Sequence, residues 1–101
     1  MKDMKEIVGE IWEELGGAME YAKRACEHKE HDRAAMSTYS EMALQELGHV
    51  DRLTEMAEKH IATMPAAPDH HHEILKGVWS WEKERIMDRK VKIKSLAEMC
   101  K

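Results

Sequence analysis

The sequence predicts an all-α fold: a long antiparallel helical hairpin followed by a third, C-terminal helix. Apolar residues recur at steps of three and four, the period of a helix with one buried face. The composition is rich in Ala, Glu, Lys, Leu and Met, lacks phenylalanine and has few β-branched runs, which favours helix over strand. The only two prolines, Pro65 and Pro68, sit together in TMPAAPD and mark the one strong internal boundary.

Helix 1 is expected over 2–28. Its buried face is Met4, Ile7, Val8, Ile11, Trp12, Leu15, Ala18, Met19, Ala22, Ala25 and Cys26. Gly16 and Gly17 fall inside it, at a cost of about 1 kcal/mol each relative to alanine unless a neighbour needs the space. The polar run from His28 to Asp32 ends the pattern, and the Asp32 carboxylate can accept from the free amides of a second helix. Helix 2 continues the period through Ala35, Tyr39, Met42, Ala43, Leu47, Val50, Leu53, Ala57 and Ile61 to about residue 62. The short turn makes the two helices antiparallel neighbours. After a linker over 63–69, Asp69 caps helix 3, which runs over 70–101 with Leu75, Val78, Trp79, Ile86, Ile93, Leu96 and Cys100 on one stripe.

The chain has 101 residues, which makes it a single domain over 1–101, with hairpin, linker and third helix as its parts. Sixteen Lys+Arg face 20 Asp+Glu, a formal net charge of −4. Without a basic stripe, nucleic acid is excluded as a partner. No apolar run reaches membrane-spanning length. The start MKDMKEIVGE carries charges where a signal peptide would carry its apolar core, so a cytoplasmic protein is expected. Cys26 and Cys100 lie far apart with no CxxC partner, which predicts two free, reduced thiols. No serine sits in a nucleophile-type turn and no Gly-rich loop could cradle phosphate, which disfavours a hydrolase or nucleotide enzyme.

Polar residues that interrupt an apolar face carry the functional signal, because burying an unpaired charge is costly. At about 100° per residue, Glu46 falls in the middle of the helix 2 stripe and His49 at its edge. Three residues apart, a carboxylate and an imidazole project from one face and suit a shared metal. Counting from a turn at residue 30, Glu46 lies sixteen residues after it and Glu14 sixteen before it, so they stand at one height. Glu14 flanks the apolar arc of helix 1, whereas Glu6, Glu13, Glu20 and Glu27 point to solvent. Tyr21 shares the edge of Glu14. On helix 3, Glu82 lies near the centre of the stripe, as a further ligand or as the ion-pair partner of Arg85 or Arg89; the ion pair is preferred.

Glu14, Tyr21 seven residues later, and Glu46 with His49 on the returning helix resemble the half-site of the ferritin-like di-iron carboxylate superfamily. Its members take a glutamate from each of two helices and Glu-x-x-His from each of two others. The resemblance covers about residues 7–60. Helix 3 departs from it, since Glu82 is followed three residues later by Arg85. The nearest analogues are encapsulated-ferritin-type short hairpin proteins, which complete the site by pairing two chains. The resemblance implies a ferritin-like four-helix bundle completed by dimerisation, with two copies of Glu14, Glu46 and His49 around a di-iron centre. It implies a ferroxidase that oxidises Fe²⁺ to Fe³⁺ with dioxygen or peroxide, Glu46 bridging, Glu14 and His49 terminal, and Tyr21 tuning the site or supplying an electron. Manganese suits the same donors. An encapsulating shell and a location inside a protein compartment follow from the family, although KSLAEMCK contains no evident packaging peptide.

The competing reading is a non-catalytic helical assembly or adaptor protein in which Glu46 and His49 pair without metal. A third is metal sensing or storage through His28 with His31 and the run His70, His71, His72. The methionines sit at core spacing and read as packing before copper ligation. Trp79 and Trp81 read as interface area. A homo-oligomer, at least a dimer, is expected because helix 3 adds more apolar surface than one hairpin covers.

Overall fold

A computed structural model describes residues 3–64 and 71–101. It contains three helices: α1 over Met4–His28, α2 over Arg33–Ala62 and α3 over His71–Met99. Among the described residues there is no strand. No helix among them is long and apolar enough to cross a membrane.

α1 starts two residues later than its periodicity suggests, because Asp3 is its cap: the Asp3 carboxylate accepts from the Glu6 amide at 2.9 Å. Asp32 caps α2 as its sequence predicts, accepting from the Ala35 amide at 3.0 Å. The expected Asp69 cap lies outside the described residues.

The hairpin is antiparallel, and α1 and α2 form the most extensive pairing of the fold. Ile7, Ile11, Leu15, Ala18 and Ala22 meet Ala43, Leu47, Val50, Ala57 and Ile61 in the main core. α3 folds back on its own hairpin, running beside α1 in the same direction. Trp79, Ile86, Ile93 and Ala97 enter the groove between the first two helices. At its start His72 Nε2 lies 3.0 Å from the Ile61 carbonyl oxygen, and near its end the Ser40 hydroxyl donates to the Ala97 carbonyl at 2.9 Å. Rungs of Lys83 to Glu58, at 2.8 Å, and Lys90 to Asp51 tie α3 to α2. The result is a rod, 60 × 23 × 15 Å.

Two expectations are corrected here. Cys26 and Cys100 are joined in a disulfide, with Cα atoms 5.0 Å apart across 74 residues of sequence, and are not free thiols. Because α3 runs alongside α1, its last turn arrives beside the last turn of α1 and brings the two sulfurs together. The bond lies in a small second cluster of Ala25, Met36 and Cys100, with Tyr39 packed against it. The tryptophans of α3 also divide: Trp79 is buried within its own chain, while Trp81 is 58% exposed.

Candidate metal centre

Glu14, from the middle of α1, meets Glu46 and His49, from the middle of α2. One donor atom from each lies within 4.8 Å of the others, and no other group of three or more such residues forms among the described residues. His49 Nδ1 is 3.5 Å from a Glu14 oxygen and 3.8 Å from a Glu46 oxygen. The equal height of Glu14 and Glu46 about the turn is therefore present in three dimensions.

Their depth differs from expectation. Glu46 does not sit mid-stripe but on the flank of the core, with its side chain 25% exposed. Glu14 and His49 are 31% and 52% exposed. The reason is α3, which draws the core of α2 toward itself and buries Ser40, a position the apolar pattern skips. Trp12 and Asp51 both touch α3, and Glu14 and His49 each lie two residues, or about 200°, round the helix from them. The three side chains consequently line the seam of the hairpin on the face turned away from α3, open to solvent within one chain.

Two carboxylates pressed together set the electrostatics. A hydrogen bond between the Glu14 and Glu46 carboxyls raises the pKa of Glu46 above its ordinary value; partial burial and the Glu14 charge push the same way, and His49 pulls it back. Gly17 lies beneath the Glu46 carboxylate, although the site does not require a glycine there. A Cβ there would lie 3.5 Å from Glu46 Oε2, an ordinary van der Waals contact.

Tyr21 and Glu82 are not part of this group. Tyr21 stands two turns, about 10.5 Å of rise, along α1 from Glu14. Its ring stacks on Tyr39 with centroids 6.3 Å apart, and Tyr39 in turn stacks on His28 at 5.5 Å. Glu82 sits in the α1/α3 seam with its side chain 14% exposed, 3.6 Å from Arg85, and accepts from the Trp12 indole nitrogen at 2.5 Å. That is the preferred ion pair, reinforced by a tryptophan whose role the sequence did not disclose. Arg85 itself lies between the Trp12 and Trp81 rings, 5.1 and 4.8 Å from their centroids. The His28 and His31 rings meet edge-on at 6.3 Å.

No family model, curated protein or solved structure matches this chain.

The donor set suits a hard or borderline divalent cation. It offers carboxylate oxygens with one imidazole nitrogen, the pattern that favours iron, manganese or zinc over soft-ligand metals. A cation here would offset the repulsion between the Glu14 and Glu46 carboxylates, which now helps to raise the pKa of Glu46. Three side chains leave coordination positions open, toward the exposed side of the seam.

Proposed function

We propose that the chain is an iron-binding ferroxidase whose di-iron site is shared between two copies, joined along the hairpin face that carries Glu14, Glu46 and His49. The observation that supports this reading most is the convergence of those three donors at one height on one open seam. A two-fold axis through that face would place four carboxylates and two imidazoles around a common centre and complete a four-helix bundle.

In this reading Glu46, Glu14 and His49 would hold the cations, with Glu46 as the ligand shared between them and Glu14 and His49 as the terminal ones. Cations would compete with protons for these carboxylates, so affinity should rise with pH across the acidic range. Fe²⁺ held there would supply the redox chemistry: two ions would give two electrons which, with two protons from solvent, reduce dioxygen to hydrogen peroxide or hydrogen peroxide to water. The second hairpin covers the exposed edges of His49 and Glu14 and keeps bulk water from the site. Tyr21, two turns along α1 from Glu14 and stacked on Tyr39, is the side chain that would tune the site or supply an electron. Manganese fits the same donors.

The test is aerobic addition of Fe²⁺ to the purified protein. Ferric absorbance should grow well above the buffer rate, and Glu46→Ala and His49→Ala should each return it to that rate. Oxidation at the background rate in all three proteins sinks the proposal. The alternative is a non-catalytic helical assembly or adaptor. It is favoured by the fact that Glu14, Glu46 and His49 already pair with one another. Under that reading the oligomeric state is independent of added Fe²⁺ or Mn²⁺, whereas the shared site predicts that either cation tightens the dimer in sedimentation.

A further inference from the structure

We propose that the Cys26–Cys100 disulfide is a redox latch: its reduction by a small thiol or dithiol frees the last two turns of α3 while the hairpin stays folded. The inference is independent of any metal and begins from where the bond sits. Cys100 is the final buried residue of the chain, 4% exposed, and belongs to the small cluster of Ala25 and Met36 rather than to the main core. Beyond Ile93 the buried residues are Ala97 and, just past the end of α3, Cys100. The polar ties between helices there are the Ser40 hydroxyl to the Ala97 carbonyl and a long contact of the Cys26 sulfur with the Leu96 carbonyl. Upstream, α3 is anchored by Trp79, Ile86 and Ile93 and by the rungs to Glu58 and Asp51. Stability within a fold is lowest where few apolar contacts are buried, so the end of α3 opens first once the covalent tie is gone.

The chemistry is thiol–disulfide exchange. Cys26 is only partly buried and Cys100 is covered, so an incoming thiolate attacks the Cys26 sulfur, the sulfur–sulfur bond breaks, and Cys100 leaves as thiolate and takes a proton. A second reductant thiol then displaces the mixed disulfide. Two electrons and two protons have passed to the protein, and the reductant has become its own disulfide. Opening uncovers Ala25 and Met36 and removes a neighbour of Tyr39, giving an apolar end surface that is closed in oxidising compartments and open in reducing ones.

Hydrogen exchange read by mass spectrometry, with and without dithiothreitol, tests the latch. Reduction should lower protection of 94–101 at least tenfold and leave 7–22 and 43–61 unchanged. Cys100→Ser should reproduce the reduced pattern without reagent. A short glutathione pulse followed by alkylation should place the adduct on Cys26 in preference to Cys100. Unchanged protection of 94–101 overturns the proposal, as does simultaneous loss of protection in all three helices, which would make the bond a global staple. Two titratable thiols per chain in protein purified under air without reductant overturn it as well.

Discussion

Glu46 favours the folded state most when it carries a proton. Its hydrogen bond to the Glu14 carboxyl raises its folded pKa above the unfolded value. Below the unfolded value both states are protonated and the favourable contribution is complete. It is lost as pH rises through the folded pKa, because the folded state binds more protons in that window. Denaturant titrations across the acidic range should show this decline, and Glu46→Gln should remove it. At the same scale, Gly16 has open space where its Cβ would be, so no packing explains it. Gly16→Ala should stabilise the chain by up to about 1 kcal/mol and raise the melting temperature by several degrees. Sequence spacing placed Glu14, Glu46 and His49 together because counting residues from a tight turn is a sound measure of height along paired helices. It misjudged their depth, since a wheel drawn for one helix cannot tell which flank a third helix will claim.

At the scale of the element, α3 has the weakest one-sided pattern and the least predictable packing. It exposes Ile74, Val78 and Trp81 on one flank and Met87 and Val91 on another. What seats it is a short inward row together with polar ties that periodicity does not reveal. Ser40 reads as a polar interruption of α2, yet it is buried and bonds across to Ala97. Glu82 was legible as an anomaly, but its Trp12 partner, 70 residues away, was not. Glu82→Ala should destabilise the protein by roughly 1–3 kcal/mol in chemical denaturation, because it strands a partly buried indole N–H and an arginine. On the proposed ferroxidase reading, if Glu82 serves α3 docking alone, iron oxidation per folded chain should be unchanged in that variant. A matching loss of oxidation would return Glu82 to the metal site. The helices themselves were legible almost to their ends, because Asp32 and the turn after His28 punctuate an otherwise regular period.

At the scale of the whole molecule, the disulfide was the hidden feature. Seventy-four residues of separation carry no signature of pairing, and only the parallel course of α1 and α3 makes it geometrically available. Closing a loop of that length is worth about 4 kcal/mol in the chain-entropy account, as an upper bound for a bond near a chain end. Cys26→Ser/Cys100→Ser should lose no more than that in global unfolding, measured by far-ultraviolet circular dichroism against denaturant. The elongated shape fits three long helices side by side, with the seam site near mid-length; a second copy that covered the site would have to lie along the rod. The three tryptophans occupy three different settings. Trp12 donates to a carboxylate, Trp81 is exposed beneath a guanidinium, and the buried Trp79 indole nitrogen has no hydrogen-bond partner among the described residues. The chain thus carries an intrinsic optical gauge: Trp79 should emit at the shortest wavelength, Trp81 should be the most readily quenched by iodide, and Trp12 should brighten or dim as α3 parts from α1.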